Sequence, residues 1–199
     1  ALGAEDTGAK NTAIGSYALA SLDYNGDGLN TAVGFNAGLN MSTGTQNTLI
    51  GGLAGDALTT GSNNVALGYQ ALSTEDTQGL NVAVGSYALL NLNAGSNAYN
   101  VAVGYNSGQA MTTGVQNTIV GGMAGDALTT GIGNVAVGYD ALSTEDEHGL
   151  NVAVGASALS SLNAGANAYN VAVGYQAGLS VTTGVKNVII GGLAGDALT

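Results

Sequence analysis

The sequence predicts an all-β protein, a parallel β-roll or β-solenoid, and two observations carry that reading. A five-residue phrase, Asn-(Thr/Val)-(Ala/Leu/Ile)-(Val/Ile/Leu)-Gly, occurs eleven times in 199 residues. Its copies are spaced 17 or 19 residues apart without exception. A fixed period of this size marks stacked repeats, each burying its apolar face against the next.

The phrase opens at Asn11, Asn30, Asn47, Asn64, Asn81, Asn100, Asn117, Asn134, Asn151, Asn170 and Asn187. It closes at Gly15, Gly34, Gly51, Gly68, Gly85, Gly104, Gly121, Gly138, Gly155, Gly174 and Gly191. Between them stand three β-prone residues, which read as a strand ending in a turn. In Asn100-Val101-Ala102-Val103-Gly104 the two valines point to one face and the alanine to the other. Both faces are apolar, so the strand is expected to be covered on both sides, with the alanine face packed on another subunit. The invariant glycine calls for a backbone conformation or an approach that a Cβ forbids. Stacked asparagines form an amide ladder, or serve as corner residues of the turn. Three residues after the glycine, Ala recurs in every copy but the one holding Ser107, a tight packing point between coils. The next position carries either Leu (Leu72, Leu89, Leu142, Leu159) or Gly (Gly55, Gly108, Gly125, Gly178). Thr-Thr-Gly stretches, as at 59–61 and 112–114, are expected to form a second short strand.

The spacings follow a 17-17-17-19 rhythm, which defines a 70-residue unit of four coils. Gly51–Thr59 recurs at Gly121–Thr129 with a single change, Met123 for Leu53, and unchanged at Gly191–Thr199. Residues 1–199 therefore form one repetitive domain whose ends fall in mid-coil, as expected of a segment of a longer fibre or of a chain that polymerises end to end. At about 4.8 Å per coil, eleven coils make a rod of roughly 50 Å.

Composition narrows the function. Net charge is −11, with Lys10 and Lys186 the only basic residues. That balance opposes binding to nucleic acid or to anionic membranes. There is no cysteine, so disulfides and thiolate metal sites are excluded. No run of 18 apolar residues is available for a membrane-spanning helix.

NTAIGSYAL (11–19), NTAVGFNAG (30–38), NVALGYQAL (64–72) and NVAVGYQAG (170–178) resemble the head repeats of trimeric autotransporter adhesins of the YadA-like kind. They are equally similar to repeat segments of phage tail fibres. The resemblance spans essentially the whole chain. It implies a left-handed parallel β-roll, three chains side by side, and an extracellular place on a cell surface or a virion. The coil of 17 or 19 residues is longer than that of the adhesin heads.

Asp23-Tyr24-Asn25-Gly26-Asp27-Gly28 offers oxygens at the first, third and fifth positions of a calcium loop, with Asp23, Asn25 and Asp27 as candidate ligands. The twelfth position is Gly34, where such loops carry Glu, and the matching turns at 93–97 and 163–167 have no carboxylate. Asp56, Asp126 and Asp196 lie four coils apart, about 19 Å, too far to share an ion, and read as turn residues. Glu5-Asp6, Glu75-Asp76 and Glu145-Asp146-Glu147 read as a solvated acidic loop that keeps a fibre soluble. His148 stands where the preceding unit has Gln78, which is no place for an essential base. Phe35, Tyr69, Tyr105, Tyr139 and Tyr175 follow the glycine in every second coil; they are candidate glycan contacts, or cover the turns beside them. No catalytic constellation is found. The expected function is a structural and adhesive rod that displays loops or a tip, with a self-assembling filament or a glycan-binding tail fibre as alternatives.

Overall fold

The computed structural model describes residues 2, 3, 8–145 and 147–198. Each phrase forms one three-residue strand: β1 Thr12–Ile14, β2 Thr31–Val33, β3 Thr48–Ile50, β4 Val65–Leu67, β5 Val82–Val84, β6 Val101–Val103, β7 Thr118–Val120, β8 Val135–Val137, β9 Val152–Val154, β10 Val171–Val173 and β11 Val188–Ile190. The eleven strands make one sheet in chain order, with every neighbouring pair parallel. Register sets like against like: Val82 faces Val101, Ala83 faces Ala102 and Val84 faces Val103. No helix occurs among the described residues.

Coils also bond to one another outside the strands. Met123 N–H donates to Tyr105 O, Gly108 N–H to Ala124 O, and Ala110 N–H to Asp126 O, at 2.9–3.0 Å. Irregular backbone is thereby satisfied coil by coil, as buried peptide groups must be.

The strand faces are the reverse of the sequence expectation. The central residue points inward: Ala32, Ala66, Ala83, Ala102 and Ala136 are wholly buried, as are Leu49 and Ile119. The flanking Thr, Val, Ile and Leu point outward, partly exposed in β2, β4–β6, β8 and β9 and with at least one exposed in β1, β3, β7, β10 and β11. Volume explains the choice. A thin roll has room for few large side chains per rung, and these come from beyond the turn: Leu19, Leu22, Met41, Leu58, Leu72, Leu89 and Leu92 are fully buried. Valine at both inward positions would overfill that space. The Leu-or-Gly position obeys the same limit. A Cβ on Gly38 would stand 2.9 Å from the methyls of Leu19 and Leu49, which already occupy its share of the core.

The expected second strand does not form; residues 59–60 and 112–113 are bends, and Gly61 and Gly114 lie in irregular backbone. Ser42, Thr43 and Gly44 N–H instead converge on Thr59 O at 2.8, 3.2 and 3.3 Å. Three donors aimed at one carbonyl need a tight turn, which an extended ladder cannot supply.

The closing glycines have φ between +122° and +144°. Each also lies against the next: a Cβ on Gly104 would stand 2.5 Å from the carbonyl carbon of Gly121. Conformation and contact together require glycine there. Less expected are the left-handed positions held by other residues. The residue before each Asn, and those two and four after each Gly, have φ of +49° to +67°. They include Leu53, Gln70, Tyr87, Leu89 and Lys186. Each such residue costs roughly 1 kcal/mol or more. They persist because bonds to the coils above and below over-determine them.

Gly104→Ala should cost about 3 kcal/mol or more, since strain and backbone overlap coincide. Gly95→Ala, at φ +69° with nothing within 4 Å of its Cβ, is the control and should cost about 1 kcal/mol. Denaturant melts of the two variants measure the difference.

Candidate functional site

Inside the sheet edge, the eleven asparagines stand in a column that is buried from Asn30 to Asn170. At every step the backbone N–H of one Asn donates to Oδ1 of the Asn before it, at 2.9–3.2 Å. The Nδ2 groups of Asn30, Asn47, Asn117, Asn151 and Asn187 donate to the same Oδ1 at 3.1–3.3 Å, and in most coils Nδ2 also reaches across the coil. Asn30 donates to Gly44 O, Asn47 to Gly61 O, Asn100 to Gly114 O and Asn117 to Gly131 O, all at 2.8 Å. One amide therefore joins two rungs and also clasps its own coil across 14 residues. The column is structural chemistry, with its donors and acceptors occupied by the protein.

The acidic loop departs from the sequence reading. Glu75 and Glu145 are wholly buried, in the column where other coils place Met41, Leu58, Leu92 and Leu128. Asp76 is half-buried and Glu147 exposed, while Glu5, Asp6 and Asp146 lie outside the described residues. The burial follows from the 19-residue coil that comes next. Its two extra residues bulge, and the glutamate reaches under the bulge. Glu145 Oε1 accepts from His148 N–H at 3.2 Å and Oε2 from Ala164 N–H at 3.4 Å. Glu75 Oε1 accepts from Gln78 N–H at 3.3 Å, and its Oε2 has no hydrogen-bond partner. Burial pushes the Glu75 carboxyl up to about 7, against the opposing pull of the Gln78 and Ala94 N–H groups. Sequence reasoning missed this role, although the alignment of Glu75 and Glu145 with apolar residues of other coils signals it. His148 Nδ1 lies 3.4 Å from Glu145 Oε1. Asp56 and Asp126 are also raised by partial burial.

In the first 19-residue coil, Asp27 Oδ2 is paired with Lys10 Nζ at 2.6 Å. Asp23 N–H donates to Ser42 O at 2.9 Å. The Lys10 ammonium thus holds one of the three candidate calcium ligands. No cluster of three His, Asp or Glu suited to a metal ion occurs among the described residues.

Phe35, Tyr69, Tyr105, Tyr139 and Tyr175 stand just past the turn glycine, 46–60% exposed. The Tyr69 ring lies over Gly52 and the Tyr139 ring over Gly122, within 3.5–3.7 Å of where a Cβ would be. Tyr87 sits edge-on between Tyr69 and Tyr105, with centroids 5.5 and 5.9 Å away.

The outward strand face completes the surface. Its columns hold Thr or Val, then Val, Ile or Leu, and beside them the residue before each Asn, including Leu29, Tyr99, Leu150 and Tyr169 at 40–56% exposure. None of the 13 acids falls in these columns or in the ring column. No pocket opens among the described residues, and no helix there is long and apolar enough to cross a membrane.

The buried Glu75 carboxyl sets a pH dependence. Its folded pKa lies above the unfolded 4.5, so its penalty is absent below about 4.5, grows as pH rises towards 7, and is complete above that. Glu75→Gln should therefore raise stability at pH 8 by about 2–3 kcal/mol and change little at pH 4. Melts at the two pH values check this. Comparison of the chain with protein-family models, with curated proteins and with solved structures finds no match.

Proposed function

We propose that this chain is a rigid segment of an extracellular fibre, whose work is structural and adhesive rather than catalytic. Copies associate side by side, as a homotrimer, through the outward strand face. The observation that carries this reading is that face itself. Three columns, each about 6.6 Å wide, run over ten rung spacings of about 4.8 Å, a footprint of roughly 900 Å²; the two strand columns are Thr, Val, Ile and Leu, and the third mixes Leu29, Leu80, Tyr99, Leu150 and Tyr169 with Lys10, Gln46, Asn63, Gln116 and Lys186. A continuous face this rich in outward apolar side chains marks an interaction site. It also reaches the ~800 Å² per partner of a stable association. Charge permits the contact, because the acids lie on other sides of the roll. Three copies rather than two follow the resemblance to the YadA-like heads. The loops that differ between coils are left to face outward for attachment.

Light scattering on the purified chain, 19.3 kDa as a monomer, should give three times that mass. Val84→Lys with Val103→Lys places charges on adjacent rungs of the face; it should yield monomers with an unchanged circular dichroism spectrum. A wild-type monomer would refute the association, and unlimited filaments in negative stain would replace the trimer by end-to-end stacking. Calcium at Asp23, Asn25 and Asp27 would have to displace Lys10, so the melting temperature should rise with calcium only in a Lys10→Ala background; equal melts in calcium and chelator in that background rule the site out.

A further inference from the structure

We infer that the ring column past the turn glycine is a linear track for a neutral, extended polysaccharide of equatorially linked pyranoses, cellulose-like or chitin-like. The inference deepens the adhesive reading only in needing this column to stay open in the assembled fibre.

The five rings share one position in every second coil. In the intervening coils that position holds Ser16, Gly52, Ser86, Gly122, Ala156 or Gly192, and the Tyr87 ring, from the next position along the chain, stands edge-on between Tyr69 and Tyr105. Two rungs set the pitch at about 10 Å. A ribbon of equatorially linked pyranoses turns each sugar over relative to the last. The same sugar face therefore returns with every second ring of the polymer, a repeat of similar length. Each aromatic ring then meets every other sugar. The C–H groups on a pyranose face carry partial positive charge and stack on the negative face of an aromatic ring.

Position and chemistry recur together. The residue after each ring is Asn36, Gln70, Asn106, Asp140 or Gln176, a planar amide or carboxylate in all five cases. In the coils between, that position is Tyr17, Leu53, Tyr87, Met123, Ser157 or Leu193. A stacking ring next to a side chain that bonds hydroxyls is a pairing suited to sugars, and here it repeats with the ring pitch.

The track is also held in place. Tyr69 and Tyr139 rest over glycines of the preceding coil, Tyr87 wedges between two rings, and Tyr139 Oη lies 3.6 Å from Met123 Sδ. Fixed rings lose little freedom on binding. With a net charge of −11, the chain repels uronate and sialate polymers, which leaves neutral ones.

Affinity electrophoresis tests this with gels containing hydroxyethyl cellulose, glycogen or alginate, together with pull-down on insoluble cellulose and chitin. The wild-type chain should be retarded by hydroxyethyl cellulose and retained on at least one of the solids, while glycogen and alginate leave it unretarded. Tyr69→Ala with Tyr105→Ala should weaken retention by at least tenfold, and Tyr69→Phe with Tyr105→Phe should preserve it. Circular dichroism and melting temperature establish that both variants are folded. Absence of retention on every equatorially linked polymer overturns the track, and so does equal retention on glycogen or an alanine variant that binds undiminished. A trimer that binds no polysaccharide would sink this inference and leave the fibre reading standing; a monomer that binds would do the reverse.

Discussion

Everything in this molecule depends on each coil lying at hydrogen-bonding distance from the next along its length. The glycine column sets that distance. Carbonyl and α-carbon of successive turns meet where no Cβ has room, so the turns close up to the spacing the strands require. Once the coils are that close, the rest of the backbone finds its partners vertically. Donors of one turn meet acceptors of the next, whatever their local dihedral angles.

This vertical bonding is what makes the coil's unusual backbone sustainable. A single coil with four left-handed positions would be strongly disfavoured by itself. In the stack each one is held from both sides, and the asparagine amide ties the strand to the far side of its own coil while bonding to the rung before it. Stability therefore belongs to the array rather than to any one repeat, as in other one-dimensional assemblies. The interior is filled to match. Where one coil supplies Leu49 and Leu58, its turn supplies Gly55; where the strand supplies Ala66, the turn supplies Leu72.

The parts of this design legible in the sequence are those where one residue type repeats in a column. Strands, turn glycines and the 70-residue unit are all of that kind. The direction of the strand was not legible, because Val-Ala-Val is apolar on both faces and only the volume of distant leucines decides which turns inward. The left-handed positions were hidden because Leu53, Gln70 and Lys186 carry no local mark of positive φ. Glu145 looked like a surface acid because one of its partners, the Ala164 N–H, belongs to another coil and to a bulge whose course only the stack defines. Of the candidate surface, the rings were visible from their spacing. The polar residue beside each ring, and the bare position between rings, gain meaning only when coils are read as a stack.

The asparagine column has a further consequence. All ten of its steps run one way, with each backbone N–H donating to the amide oxygen of the rung before it. The rod is thus a vector, with distinct head and tail. Copies related by a rotation axis along the rod run in the same sense, so a bundle grouped about a common axis inherits one polarity from end to end. A fibre built this way would know which end leads.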